Sequence, residues 1–197
     1  MNIFVLDKDP SISAKYMCDK HVVKMILESC QLLSTAHRVL DGIKVETITS
    51  KNRKYTSYKM KDPYVLGTTI PFESFLYKST MVNHPCSIWC RETSINYRWL
   101  AIHTISLIQE YTNRYSKTHA SENLAYWLEK NFPKNIKFGH LTPFALAMPD
   151  QYKCSDAVLS YRKYYINEKS KFAKWKNGNT PTWYKEGLQI KNELVSA

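Results

Sequence analysis

The sequence lacks any continuous apolar run of about 18 residues, the length that a membrane-spanning helix requires. It has no internal repeat and no low-complexity tract, and its 5 glycines form no Gly-rich loop of the kind that cradles phosphate groups. These absences argue against a membrane-spanning protein, a repeat protein and a P-loop nucleotide-binding protein. We expect a single domain over residues 1–197, because a chain of this length with 44% hydrophobic residues can bury one sizeable core.

Acidic residues are scarce: 17 Asp and Glu stand against 28 Lys and Arg, which gives a net charge of +11 and a pI near 9.3. Such an excess favours a polyanionic partner, which means nucleic acid or an acidic membrane surface. The 14 tyrosines and 5 tryptophans are interleaved with the basic residues. Aromatic rings can stack on bases, although packing in the core is their commoner use. Composition therefore favours nucleic-acid binding without deciding it.

The cysteines predict neither a disulfide framework nor a metal centre. Their number, five, is odd, and no signal-like segment of 15–30 residues opens the chain, so we expect reduced thiols in a soluble, cytoplasmic protein. Cysteine and histidine occur together at Cys18, His21, His84, Cys86 and Cys90. Their spacing matches no usual zinc-finger pattern, and free cysteine is often simply buried. We expect no metal ion and no cofactor.

A narrow polar stripe marks the first long predicted helix. Residues 19–38 contain no Gly or Pro, and on a helix of about 100° per residue their polar members share an arc of roughly 100°. The stripe consists of Lys20, His21, Lys24, Glu28, Gln31, Thr35 and Arg38. Most of the remaining circumference is apolar, which is typical of a buried helix. The pattern therefore indicates that Glu28, a single carboxylate flanked by basic and amide groups, belongs to a functional site.

The alternative is that this stripe simply faces water. Lys24 and Glu28 would then form an ordinary i,i+4 ion pair, which contributes about 0.3 kcal/mol to helix stability. The narrowness of the arc favours a site, because a surface helix usually has a wider polar face.

Helical periodicity and end signals predict a mostly α fold, a compact single-domain helical bundle with a small inserted β-hairpin. We predict helices from Ser11 or Ser13 to Asp41-Gly42, from 85 to about 115, over 121–132, and from 155 to about 175. Alternating segments at 44–49 and 54–59, joined by a turn at 50–53, predict a hairpin insertion at about 43–62. Residues 133–150 and the tail at 177–188 are predicted to be irregular.

The predicted hairpin and the last predicted helix are both basic. The hairpin carries Lys51, Arg53 and Lys54 close to its turn; it is either a solvated loop or a finger that contacts phosphates, and its few acidic residues favour the finger. The last helix places Arg162 and Lys163 beside tyrosines. That arrangement suits a surface that binds phosphates and stacks on bases, and it suits an ordinary amphipathic helix equally well.

Two motifs at opposite ends of the chain carry a specific resemblance. Near the N-terminus, Asp19-Lys20-His21 is followed seven residues after the histidine by Glu28, and residues 180–185 read Thr-Pro-Thr-Trp-Tyr-Lys. With His84 placed between them before a long helix, these motifs resemble the pyrimidine-dimer DNA glycosylase/AP lyase family. The resemblance covers about residues 1–38, 84–115 and 151–187, while the hairpin and residues 116–144 look like additions.

The resemblance implies a small α-helical enzyme that flips a nucleotide out of duplex DNA and excises a UV pyrimidine dimer or another altered base. In that family the N-terminal α-amine attacks C1′ of the damaged nucleotide, and the resulting imine permits β-elimination and strand nicking. An α-amine ordinarily has a pKa near 8 and is partly neutral at pH 7, which suits a nucleophile. By resemblance Glu28 would be the essential carboxylate, and the amine would belong to Met1 or, after removal of Met1, to Asn2.

The stripe, the hairpin, the basic helix and the two motifs together predict a DNA-binding set. Its members are Lys20, His21, Lys24, Gln31, Arg38, Lys51, Arg53, Lys54, His84, Arg162, Lys163, Trp183, Tyr184 and Lys185. The expected partner is double-stranded DNA, bound by a monomer with no membrane association. Two other interpretations stay open: a non-catalytic nucleic-acid or nucleotide-binding protein on the same scaffold, and an interaction protein whose stripe is solvated.

Overall fold

Eight α-helices and one two-stranded antiparallel sheet form the regular structure of residues 1–48, 52 and 54–196, which the computed structural model describes. The helices are α1 (Pro10–Tyr16), α2 (Asp19–Asp41), α3 (Phe72–Phe75), α4 (Pro85–Cys90), α5 (Ser94–Tyr115), α6 (Glu122–Lys130), α7 (Ala157–Tyr164) and α8 (Thr182–Ser196). The strands are β1 (Gly42–Ile48) and β2 (Lys54–Met60). The mostly α fold with a small hairpin is confirmed.

Helix α2 lies at the centre of the core because it is apolar on most of its surface. Val22, Ile26, Leu32 and Leu33 are completely buried, and α2 packs against α4, α5 and α6, while α1 packs on α5. Burial of each large aliphatic side chain contributes about 1.5–3 kcal/mol relative to exposure. The apolar pattern of this one helix thus organises the elements around it.

The first predicted helix is two helices, because the chain is extended at Met17 and Cys18 between α1 and α2. The guanidinium of Arg114 donates to the Met17 carbonyl at 2.8 Å, and the Cys18 amide donates to the hydroxyl of Tyr165 at 3.1 Å. These partners are 97 and 147 residues away in the sequence. The prediction was wrong at this point because tertiary contacts, which local periodicity does not encode, hold the break. The cap of α1 is Asp9 rather than a serine.

The second predicted helix is also two helices, α4 and α5. The chain leaves the first at Arg91, and Thr93 caps the second by accepting from the Asn96 amide at 3.1 Å. The Asn96 side chain in turn holds the irregular segment, since its amide donates to Thr142 Oγ1 at 2.7 Å. Helix α6 lies within the predicted 121–132, and residues 131–149 are irregular as predicted.

The C-terminal prediction was wrong, because residues after Pro181 form α8 instead of a loop. The last predicted helix is correspondingly shorter: α7 ends at Tyr164 and a π-helical turn, Tyr165–Lys169, follows it. Tyr184 is buried against Trp175 at a ring-centroid distance of 4.6 Å. Burial of aromatic rings against the core outweighs the Gly and Asn residues that locally favour a loop.

None of the helices in the described part of the chain combines the length and the apolar character that a bilayer crossing demands.

Candidate active site

The N-terminus of the chain lies beside the side chain of Glu28. The α-amine of Met1 is 4.0 Å from Glu28 Oε2, and the backbone N–H of Asn2 donates to the same oxygen at 3.3 Å. On the other side of the carboxylate, Lys24 Nζ is 3.1 Å from Oε1. The Glu28 side chain is only 13% exposed, whereas that of Lys24 is 68% exposed. The carboxylate is thus held between a surface lysine and the first two main-chain nitrogen atoms.

The side chain of Asn2 fixes the N-terminal segment in this position. Its amide nitrogen donates to the Ala147 carbonyl at 2.6 Å, and its oxygen accepts from the N–H groups of Ile3 at 2.8 Å and Phe4 at 3.3 Å. Phe4 has a φ of +53°, a left-handed conformation that bulky residues rarely adopt. The Asn2 amide stabilises this turn and directs the nitrogen of residue 2 at Glu28.

A pocket of about 480 Å³ opens beside Glu28. It is lined by Met1, Asn2, Phe4, Lys20, His21, Lys24, Met25, Glu28, Ala147, Tyr164, Lys169 and Phe172. Both candidate amines, the candidate carboxylate and the predicted residues Lys20, His21 and Lys24 therefore meet at one place. The lining surrounds a single carboxylate with three lysines and several aromatic rings, which suits an anionic ligand that has a flat ring.

His21 is neutral in this pocket. Burial lowers its pKa to about 3, and the neighbouring charges of Lys169 and Lys24 act in the same direction. The Phe4 ring stacks on the imidazole with centroids 4.4 Å apart. A buried, stacked imidazole among cations cannot act as a base of ordinary strength.

The tautomer of His21 follows from its hydrogen bond. Nδ1 lies 2.6 Å from the hydroxyl of Tyr165, and the same hydroxyl oxygen accepts from the Cys18 amide at 3.1 Å. The hydroxyl proton has a longer alternative at 3.4 Å, the Cys18 sulfur. We therefore assign that proton to the shorter bond, which leaves the imidazole proton on Nε2. His21 is held as a hydrogen-bond donor in fixed orientation.

The C-terminal motif lies behind His21 in the described structure and not in the pocket itself. The rings of Trp183 and Tyr184 are 6.3 and 6.5 Å from that of Tyr165, the residue that orients His21. Tyr184 is 3% exposed. The predicted DNA contact of Tyr184 is replaced by a packing role, because its ring is part of the core, whereas Trp183 is only half-buried and its predicted contact stays a prediction.

Arg38 is remote from the pocket and fully engaged. Its guanidinium donates to the Glu73 carboxylate at 3.0 Å and to the carbonyls of Tyr77 at 2.7 Å and Tyr58 at 3.1 Å. The residue is 1% exposed. The predicted DNA contact is corrected accordingly, since a guanidinium buried in this way has no donors left for phosphate.

Arg162 is largely engaged as well. Its Nε donates to the Leu6 carbonyl at 2.9 Å, and its guanidinium carbon lies 5.0 Å from the centre of the Trp183 ring. These contacts tie the basic helix to the N-terminal segment and to α8. Arg162 therefore supports the pocket from behind, while its neighbour Lys163 is exposed.

The remaining predicted residues are spread along the surface. Gln31 is half-buried one turn beyond Glu28, and Lys54 and Lys185 are exposed. His84 caps α4 and lies within electrostatic range of the active-site candidates: burial lowers its pKa, the N-terminal amine lowers it further, and Glu28 raises it. Two residues of the predicted set, Lys51 and Arg53, lie outside the described residues.

Sequence reasoning did not connect Tyr164 and Lys169 with Glu28, although both lie on the predicted basic helix. Residues five apart on an α-helix differ by about 140° in direction. The π-helical turn closes i→i+5 hydrogen bonds and removes this separation, so that Lys169 Nζ lies 4.4 Å from the centre of the Tyr164 ring. Ala147 and Phe172 come from segments with no pattern of their own, and only the fold brings them to the pocket.

A family model described as pyrimidine dimer DNA glycosylase matches residues 1–123 of the 197-residue chain. The matched range contains the N-terminal segment, α1 to α5, the hairpin and Glu28, and it stops at the start of α6. The π-helical turn and the C-terminal motif lie outside it. Comparisons with curated proteins and with solved structures gave no match.

Proposed function

We infer the chemistry of this chain from its family, because it belongs to the pyrimidine dimer DNA glycosylases. Glycosylase action on DNA follows at the level of the family. We propose that this protein excises UV pyrimidine dimers or another altered base and then nicks the strand as an AP lyase, through an imine at its N-terminal amine. The observation that carries the proposal is the pair of main-chain nitrogen atoms at 4.0 and 3.3 Å from Glu28.

The proposed reaction has two stages. In the first, the neutral amine attacks C1′, the glycosidic bond breaks, and the base leaves with a proton while the sugar ring opens to an imine. In the second, a proton is lost from C2′ and the C3′–O bond breaks, so that the downstream strand leaves with a 5′ phosphate, and water then hydrolyses the imine to free the amine. Glu28 accepts the proton that the attacking amine must lose and stabilises the positive charge on the opened sugar.

Two different chain ends would place an amine next to Glu28. If Met1 is retained, its amine lies 4.0 Å from the Glu28 carboxylate; if Met1 is removed, the nitrogen of Asn2 is already 3.3 Å from it. The Asn2 side chain holds that nitrogen in place in either case, through Ala147. Because Asn is larger than the residues that usually permit removal of the initiator, we propose that Met1 is the nucleophile.

The pocket lining suits a flipped nucleotide. The half-buried ring of Tyr164 offers a stacking surface for an unpaired base, and stacking of this kind contributes about 1–3 kcal/mol per base. The buried Phe4 ring lies nearly parallel to that of Tyr164, with centroids 6.2 Å apart, and supports it from within the core. Lys20 and Lys169 lie where a flanking phosphate would approach, and the Nε2–H of His21 adds a neutral donor. In this proposal the lysines bind the backbone, the aromatic rings hold the base and Glu28 acts on the sugar.

The test is covalent trapping. The protein is incubated with UV-irradiated duplex DNA and borohydride, and the adduct is located by peptide mass spectrometry. We expect a stable adduct at the N-terminal residue, no adduct with undamaged duplex, and a loss of more than 100-fold in the rate with Glu28→Gln. Intact mass of the purified protein identifies the free amine. An adduct at a lysine side chain, or none with any damaged duplex, would overturn the proposal.

A non-catalytic DNA-binding protein on the same scaffold is the second candidate. The observation in its favour is that Leu27 and Gln31, which precede and follow Glu28 on α2, carry no charge that could bind phosphate, so that in the described structure Lys24 is its one charged partner on this helix. This candidate predicts that Glu28→Gln binds damaged duplex as tightly as the original protein and that no adduct forms with either.

A further inference from the structure

A second groove lies between the hairpin and the segment that leads into α4. One wall is the face of β1 and β2 that carries Lys44, Thr56 and Tyr58, and the other is formed by residues 79–84, which end in His84. The groove has a volume of about 670 Å³, larger than the pocket of about 480 Å³ beside Glu28. Its lining combines a lysine, a tyrosine ring, and hydroxyl and amide groups.

The groove adjoins the Glu28 pocket through the start of α4. His84 lines the groove, and its Nδ1 accepts from the backbone N–H of Cys86 at 3.2 Å. The sulfur of Cys86 is in turn 3.9 Å from the side-chain oxygen of Asn2, which lines the pocket. One buried residue, Cys86, therefore stands between the lining of the groove and that of the pocket, and His84 is close enough to the N-terminal amine and to Glu28 for their charges to shift its pKa.

Both walls of the groove are fixed to α2. Arg38 donates to the carbonyls of Tyr58, on the hairpin wall, and of Tyr77, just before the loop wall. Thr35 Oγ1 accepts from the Thr80 amide at 3.2 Å and so holds the loop wall directly. The end of the polar stripe that holds Thr35 and Arg38 thus positions the groove, whereas the end from Lys20 to Glu28 lines the pocket.

The loop wall contains a strained residue. Met81 has a φ of +48°, and its carbonyl accepts from the His84 amide at 2.8 Å in a tight turn. A non-glycine residue in this conformation costs about 1–3 kcal/mol, and such residues cluster at ligand-binding sites. The Met81 side chain is also more than half exposed, so the strain leaves an apolar group available to a ligand.

We propose that this groove binds the DNA strand next to the flipped nucleotide, with Lys44 on a phosphate and the Tyr58 ring against a sugar or base. DNA is the occupant that fits, because the family acts on DNA, the chain has a net charge of +11, and the groove lies beside the pocket that would take the flipped nucleotide. The inference rests on DNA as the substrate and is independent of the imine chemistry.

The strand register supplies a matched control. Lys44 pairs with Tyr58 on the groove side of the hairpin, whereas Lys59 pairs with Ile43 and lies on the opposite face of the same sheet. Both lysines are exposed. Lys44→Ala and Lys59→Ala therefore remove the same charge from opposite faces of the same element, and Lys59 also lies close enough to Glu73 to lower the pKa of that carboxyl.

The experiment measures affinity for a duplex with a tetrahydrofuran abasic analogue, by fluorescence anisotropy at several salt concentrations. Each phosphate contact contributes about 0.9 to the slope of log K against log salt, which is about eightfold in affinity at 0.1 M relative to 1 M. We expect Lys44→Ala to reduce the salt slope by about 0.9 and the affinity by about eightfold. Lys59→Ala should change the affinity by less than about twofold. Equal effects of the two variants would overturn the groove proposal.

Tyr58 provides an independent measurement. Its main-chain carbonyl, and not its side chain, holds Arg38, so replacement of the ring leaves the wall in place. We expect Tyr58→Ala to weaken binding and Tyr58→Phe to bind like the original protein, because the ring provides the contact. If Tyr58→Ala binds as tightly as Tyr58→Phe, the proposed ring contact is wrong. A face-dependent effect of Lys44 without any borohydride adduct would support the groove and count against the imine chemistry.

Discussion

The two halves of the α2 polar stripe look alike in the sequence and have different fates in the structure. The proximal half, from Lys20 to Glu28, lines an open pocket beside the N-terminus. The distal half, which holds Thr35 and Arg38, is buried and fastens the hairpin and the following loop to the helix. The difference teaches that a polar stripe on a buried helix is neither uniformly a site nor uniformly solvated: the elements that later pack on it decide.

Among these variants, we expect the largest loss of activity from replacement of Glu28. Glu28→Gln keeps the shape of the side chain and removes its charge, so we expect the rate of adduct formation to fall by 10²–10³. Stability should change by less than about 1 kcal/mol, because a partly exposed ion pair with an exposed lysine contributes little. Single-turnover trapping and urea unfolding measure the two quantities. A large loss of stability would mean that Glu28, like Arg38, mainly stabilises the fold.

Arg38 should show the reverse. Arg38→Met leaves several carbonyls and the Glu73 carboxylate without a donor, and we expect the free energy of unfolding to fall by about 3 kcal/mol. The rate of adduct formation per folded molecule should change far less than with Glu28→Gln. Urea unfolding gives the first quantity. A stability equal to that of the original protein would contradict the structural role.

Acid should weaken the fold through two buried histidines of α2, His21 in the proximal half of the stripe and His37 next to its distal half. Burial lowers the pKa of His21 to about 3 and that of His37 to about 4, from an ordinary 6.5. Between pH 6.5 and these values the unfolded chain binds more protons than the folded one. The free energy of unfolding therefore decreases as the pH is lowered, by up to about 1.4 kcal/mol per pH unit for each histidine. The contribution of the two neutral histidines to stability is fully present above pH 6.5.

His37→Gln should therefore show a shallower loss of stability below pH 6.5 than the original protein. The glutamine amide can still bond to Tyr97, which lies 2.9 Å from His37 Nε2. Urea unfolding between pH 7 and pH 4 measures the two slopes. Identical slopes would mean that His37 titrates near its ordinary value in the folded state.

Lys24→Ala should have the smallest effect on stability. Its ammonium is exposed and pairs with Glu28 across one turn of helix, so we expect a change of about 0.3 kcal/mol. If this variant lost more than about 1 kcal/mol in urea unfolding, the proximal half of the stripe would be as structural as the distal half.

The sequence predicts what depends on local pattern. The apolar surface of α2, its end at Asp41, the hairpin strands and the helical region of α6 follow from periodicity and end signals, and the stripe singles out Glu28. Burial of Arg38 could not be predicted, because its partner Glu73 lies in α3 and its partner Tyr77 follows that helix, in a part of the chain with no pattern that points to Arg38. The identity and spacing of a polar residue on a stripe do not show whether it binds a ligand or forms hydrogen bonds within the protein.

The elements that were wrong or missed share a different cause. The break at Cys18 depends on Arg114 and Tyr165, and α8 depends on burial of Tyr184, so distant contacts override local preference in both. The π-helical turn changes which residues share a face, and that is why Lys169 was not connected with Glu28.

The atoms that face Glu28 across the proposed site belong to the main chain, not to a side chain. No side-chain replacement at residue 2 can therefore delete the nucleophile, and in this respect the reactive group is less sensitive to mutation than Glu28. It is vulnerable to acylation instead: a formyl group, an acetyl group or a fused peptide would turn the amine into an amide, which cannot form an imine. In the proposed chemistry, activity is set by how the chain end is processed as much as by the sequence that follows.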